Sequence, residues 1–214
     1  MRRLAFLILY LTVTIACHYR PSSPAAAAAT GGDVPAMTRL LNAGLNPNTR
    51  DDAGYTPLIA AARSGNIGVI RLLTRRGADP NLRDAAVNSW TPLLHAIHKA
   101  QPGATAALLE AGANPNGTDT SGTTPLMMAA GYGYTDIVKI LLAHGANPRL
   151  ATSDGITALD LARSGVPDID RFTVFDCQDD TVKTLLNADP RLPDHTGRLP
   201  FPARLALRTK RCRA

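Results

Sequence analysis

The chain has 214 residues, 45% of them apolar and only 5% aromatic, which is enough for one domain with a core built from Ala and Leu. Its formal net charge of +6 is unevenly placed, because residues 21–190 hold 13 basic and 16 acidic side chains while the positive charge gathers at the two ends. Phosphate binding needs positive charge on the folded body, so this distribution disfavours a nucleic-acid binder. Three cysteines are too few for a disulfide scaffold or a zinc ribbon.

Met1-Arg2-Arg3 is a short positive start, and Leu4 to Ala16 is an uncharged, mostly apolar run. A membrane-spanning helix needs about 20 such residues, more than this run supplies. Its length fits instead the apolar region of a secretory signal peptide over residues 1–16. The run ends Val13-Thr14-Ile15-Ala16-Cys17. That ending resembles the lipobox of bacterial lipoproteins, in which the Cys is lipidated and becomes the first residue of the mature chain. Thr14 departs from the family's preferred Leu, and the alternative is ordinary cleavage near Ala16 with Cys17 as a bystander. The resemblance also implies that His18, standing where an Asp would favour the inner membrane, directs the chain to the outer membrane. Residues 17–24 are rich in Pro and Ser and read as a flexible tether.

The next stretch is periodic. Thr56-Pro57-Leu58, Thr91-Pro92-Leu93, Thr124-Pro125-Leu126 and Thr157-Ala158-Leu159 recur at intervals of 35, 33 and 33. Gly44, Gly77, Gly112 and Gly145, most followed by Ala-Asn-Pro or Ala-Asp-Pro, recur at 33, 35 and 33. In the three middle units the Thr-to-Gly distance is always 21. Two independent markers holding one period identify a repeat array. Each Thr can cap a first helix, each Pro fits its first turn, and each Gly suits a left-handed residue after the second helix. Ala60 to Ala62, Ala129 and Ala130 allow close approach of adjacent helices, and the Leu pairs 72–73, 108–109 and 141–142 fill the layer between units.

These motifs resemble the ankyrin repeat, with its Gly-x-Thr-Pro-Leu and Leu-Leu-x-x-Gly-Ala-Asp signatures, over residues 25–190. The resemblance implies an all-α solenoid of about five helix-turn-helix repeats with β-turn fingers. The first repeat is a degenerate cap, with helices expected at Ala25–Thr30 and Val34–Ala43. The last is also degenerate. Thr157 stands much further from Asp189 than each middle Thr stands from its Gly, which places an insertion near 166–178. Repeat three has a finger longer by two residues near Ala85 to Asn88. The family's usual His after Thr-Pro-Leu is replaced by Ile59, Leu94, Met127 and Asp160, so apolar packing is expected in place of the usual hydrogen bonds between repeats.

No Gly-rich phosphate loop, His-Glu-x-x-His or CxxC motif is present, and no cofactor is expected. His95 and His98 share one helix at a spacing that suits a metal, but no third ligand is evident. They read as one partly buried and one exposed His. Asp51-Asp52 and Asp179-Asp180 fall at turns or helix starts, where Asp is common. An enzyme is not expected.

In the ankyrin family partners bind finger tips and the inner face of the first helices. Carried over by position, the finger candidates are Asp52, Tyr55, Val87, Asn88, Trp90, Thr120, Thr123 and Asp154. The helix candidates are Arg63, His98, Lys99 and Tyr132. Aromatic and Arg side chains are the usual interface anchors. Trp90 either serves as one or folds back over its own longer finger. Cys177 and Cys212 either pair or stand as separate thiols. The basic tail, 191–214, either contacts anionic lipid headgroups or an acidic partner surface, or is a solvated end. The expected function is a lipid-anchored periplasmic adaptor or accessory factor that binds another protein. The alternatives are an immunity protein against a delivered toxin and a secreted effector acting in a host cell.

Overall fold

A computed structural model describes residues 23–85, 89–164 and 178–193. Among the described residues the regular structure is ten α-helices in five consecutive pairs. The pairs are α1 (Pro24–Gly31) with α2 (Val34–Asn42), α3 (Pro57–Ser64) with α4 (Ile67–Arg75), and α5 (Pro92–His98) with α6 (Pro102–Glu110). They continue with α7 (Pro125–Gly131) and α8 (Thr135–Ala143), then α9 (Ala158–Ser164) and α10 (Asp179–Ala188). The odd-numbered helices pack side by side in an inner row and the even-numbered ones in an outer row. This is the expected all-α solenoid. The cap repeat has both of its helices, each within a residue of the expected bounds.

The inner helices start where the sequence places a cap. Thr56, Thr91 and Thr124 Oγ1 accept from the N–H of Ile59, Leu94 and Met127 at 3.2, 3.4 and 3.1 Å. Pro follows each Thr, at a helical position whose N–H would have had no partner. These helices are short and almost wholly buried, with Ala61, Ala62, Ala129 and Ala130 at 0% exposure. Small side chains there let the rows close up, while Leu73, Leu108 and Leu141 fill the layers between pairs. No pair could bury these faces alone, so the core is one continuous cluster from Ala25 to Leu192.

Apolar packing stands where the family's His would be, as expected at three of the four positions, but hydrogen bonds between repeats are made elsewhere. Ile59, Leu94 and Met127 are indeed buried and apolar, and Asp160 turns back on its own repeat to accept from Thr157 N–H at 2.9 Å. The polar links lie one turn away, at the finger bases. Asn48 Nδ2 donates to Gly77 O at 3.1 Å and its Oδ1 accepts from Asp79 N–H at 2.8 Å. Asn81 makes the same pair with Gly112 and Asn114, and Asn116 with Gly145 and Asn147. At the next step Arg149 stands in place of Asn, and its Nε donates to Asp189 at 2.5 Å.

A second link joins the outer helices to the inner ones. Asn66, just before α4, donates from Nδ2 to Ala29 O and Thr30 O at 2.7 and 2.8 Å, closing the end of α1 in the preceding repeat. Gly32 sits there with φ 72°, and a Cβ on it would lie 2.8 Å from Asn66 Oδ1. At the matching place in repeat three stands Ala100, held at φ 53°. A left-handed Ala costs about 1 kcal/mol or more relative to Gly. Ala100→Gly is therefore expected to raise the melting temperature by about 2–4 °C, read by thermal denaturation followed by circular dichroism. Asn81→Ala removes two links between repeats and is expected to cost about 1–2 kcal/mol in urea titration, with helix content unchanged before the transition.

Candidate functional site

A stripe of rings crosses the inner helices of repeats two to four. Its order is set by the repeat. Tyr55 and Trp90 occupy the same position before the capping Thr, and Tyr132 follows the end of α7. The Arg63 guanidinium carbon lies 5.2 Å from the Tyr55 ring centre. Tyr55 and Trp90 each meet the His95 ring edge-on, at 5.3 Å. Trp90 lies 5.1 Å from His98, His98 lies 6.0 Å from Tyr132, and Tyr132 lies 5.4 Å from Tyr134. The Tyr132 hydroxyl and His98 Nδ1 are 3.2 Å apart, within hydrogen-bond reach. All of these except His95 are half-buried, so the stripe has one face on the core and one on solvent.

Beneath the rings lies a polar chain that joins two repeats. Asp51, Asp84 and Asp119 hold matching places in their fingers. Asp51 Oδ1 accepts from the N–H groups of Ala53 and Tyr55, and Asp119 Oδ1 from those of Ser121 and Thr123. Asp84 sits in the longer finger, where its Oδ1 accepts from Trp90 N–H at 3.1 Å. Its Oδ2 turns inward, 2.7 Å from His95 Nε2, and both side chains are only 2% exposed. His95 replaces Ala60 and Met128 of the neighbouring repeats. Arg63 of repeat two reaches across, with Nη1 3.0 Å from His95 Nδ1.

This geometry sets the protonation state. A guanidinium can only donate, so His95 Nδ1 must accept, and the ring proton sits on Nε2 and points to Asp84. The imidazole is therefore neutral. Burial is the main force that holds its pKa below the ordinary value, and the charges of Arg63 and Lys99 push the same way. The hydrogen bond and charge of Asp84 oppose them. Both ring nitrogens are engaged, and the expectation of one partly buried and one exposed His is corrected: His95 is fully buried and His98 half-buried. Among the described residues no group of three His, Cys, Asp or Glu is placed to hold a metal.

Of the candidates read from sequence, Tyr55, Arg63, Trp90, His98 and Tyr132 come together in the stripe, and Lys99 stands beside it, half-exposed. Trp90 meets the rings of its own repeat, His95 and His98. It lies back on its own repeat, with its indole N–H buried and without an acceptor among the described residues, yet part of the ring remains open. Asp52, Thr120 and Asp154 are exposed at finger tips, apart from the rings. Thr123 is half-buried and bonded through its N–H to Asp119. Val87, Asn88, Cys17, Cys177 and Cys212 lie outside the described residues, as do nearly all of the expected insertion and tail. Sequence reasoning missed Asp84 as a partner for His95, and missed Tyr134. The signal for Asp84 was its phase with Asp51 and Asp119.

A family model described as ankyrin repeats in many copies matches residues 108–162. Another, described as ankyrin repeats in three copies, matches residues 8–84 and 25–119. No curated protein matches the chain.

The buried His95 gives stability a pH dependence of defined sign. In the unfolded chain the imidazole takes up a proton near pH 6.5, whereas the folded site resists it. The contribution is complete above about pH 6.5 and is lost as pH falls from there towards the depressed folded pKa. Urea denaturation between pH 7.5 and 5 is expected to show stability falling on the acid side, and His95→Gln is expected to flatten that slope.

Proposed function

The chain belongs to the ankyrin-repeat family, a fold of protein–protein interaction modules, and from that premise we propose a non-enzymatic adaptor. In this reading it is exported, anchored in the outer membrane by a lipid on Cys17, and presents its inner face to one partner protein in the periplasm. The observation that carries the reading is the ring stripe. Tyr55, Trp90, His98 and Tyr132 form one half-open row across three repeats. Large rings of this kind give contact area at little entropic cost and are typical interface anchors.

The mechanism is rigid display. The stacked core fixes the row, so a partner meets a surface that is already ordered, and little freedom is lost on binding. The lipid restricts the search to one surface. Contact of the basic tail, 191–214, with anionic headgroups would hold the array close to the membrane. A catalytic role finds no support in the Arg63–His95–Asp84 chain. Both imidazole nitrogens are occupied, and His95 and Asp84 are almost wholly out of reach of solvent.

Two measurements test the proposal. The intact mass of the mature protein from fractionated cells is expected to show a chain that begins at a lipid-modified Cys17, in the membrane fraction. A free chain in the medium would overturn the anchored adaptor. A photo-crosslinking residue in place of Tyr132 is expected to give a discrete protein adduct that Trp90→Ala abolishes. The same probe in place of Glu110, exposed on an outer helix, is expected to give none. Equal adducts from both positions, or none from either, would count against the stripe as the binding face.

A further inference from the structure

We propose that the inner face of repeats two to four receives an acidic, extended segment of a partner protein, with its carboxylates toward Arg63 and Lys99 and its apolar side chains on Trp90 and Tyr132. This rests on the reading of that face as a protein-binding surface and adds the chemistry of what it binds.

Charge is the first ground. In the described inner helices of repeats two to four and the residues that end them, the charged side chains that reach solvent are Arg63 and Lys99. Asp160 is buried and turned onto Thr157, and Asp84 is buried under His95. Asp51 and Asp119 are held in the finger turns. The free carboxylates Asp52 and Asp154 stand at finger tips, on the fingers of repeats two and five. Residues 21–190 hold more acidic than basic side chains, 16 against 13. Among the described residues, the charges that reach solvent at the inner-helix ends of repeats two and three, Arg63 and Lys99, are thus both cations.

Preorganisation is the second ground. Arg63 is fixed by His95 on one side and the Tyr55 ring on the other, so little side-chain freedom remains to be lost when a carboxylate binds. The Lys99 ammonium has no hydrogen-bond or ion-pair partner among the described residues, yet it stands near enough for its charge to act on His95. The two cations come from adjacent repeats, two and three. Dimension is the third ground. Neighbouring packed helices lie about 8–10 Å apart, so the row from repeat two to repeat four is about 20 Å long, the reach of about six extended residues. A basic segment would set like charges together there and is disfavoured.

Trp90 is the only tryptophan of the chain, so its intrinsic emission reports this face without a label. The test titrates the full chain in detergent with a synthetic peptide of alternating Glu and Leu, and with its Lys–Leu counterpart. The Glu peptide is expected to shift Trp90 emission saturably, more tightly at low salt, and the Lys peptide is expected not to. Lys99→Glu is expected to weaken binding about fivefold or more, with an unchanged melting temperature, and Lys99→Arg to retain it. No saturable response to the Glu peptide, equal response to both peptides, or indifference to Lys99→Glu would overturn the proposal. An adduct from position 132 that survives Lys99→Glu, together with failure of the Glu peptide, would remove the acidic segment and leave the binding face standing.

Discussion

An asparagine side chain that clasps the next layer sets the register of the whole array. Asn48, Asn81 and Asn116 each give a hydrogen to one glycine carbonyl and take one from the backbone two residues on. Apolar burial supplies most of the attraction between layers, but it is non-directional. A stack of Ala and Leu faces would tolerate sliding. The paired bonds do not, because both fail together when a layer shifts. Fixed register then places residues one period apart at one depth, and that is why Tyr55 and Trp90 both face the imidazole of His95.

The buried chain under the rings adds a side-chain link between repeats two and three to the asparagine clasps at the finger bases. Arg63 belongs to repeat two, while His95 and Asp84 belong to repeat three. A buried carboxylate is tolerable only when hydrogen-bonded, and Asp84 meets this with Oδ1 on Trp90 N–H and Oδ2 on His95 Nε2. The cost of a polar interior falls at the place where the surface above must be best ordered. Breaking one member leaves its neighbours buried without partners, which is far more costly than never having had them.

The period, the caps and the Leu and Ala layers were legible in the residues because they recur. Thr56, Thr91 and Thr124 do the same thing three times, and repetition makes a weak local signal strong. What escaped was what occurs once. His95 stands where its neighbours have Ala60 and Met128, so no repeat pattern announced its pairing with Asp84. The links through Asn48, Asn81 and Asn116 did recur, in Asn-Pro-Asn and Asp-Pro-Asn. They served only to mark the period, because a side chain's reach into the next layer is a tertiary fact. Tyr55, Trp90, His98 and Tyr132 come together because position in a stack follows from phase. Their degree of burial was not legible, since it depends on what the neighbour puts opposite.

Arg149 breaks the asparagine series, and its ion pair with Asp189 closes the last interface instead. The arginine is more than half exposed there, so dissolved ions reach and screen that contact. Neutral amide bonds at the earlier interfaces are far less affected. Ionic strength therefore acts most on the two exposed ion pairs between repeats, Arg71–Glu110 in the middle of the array and Arg149–Asp189 at its end. Only at the last interface does such a pair stand in place of the asparagine clasp, so the final pair is expected to open and exchange its amide hydrogens first as salt rises. The solenoid thus has a stiff body and a terminal repeat whose attachment follows the medium around it.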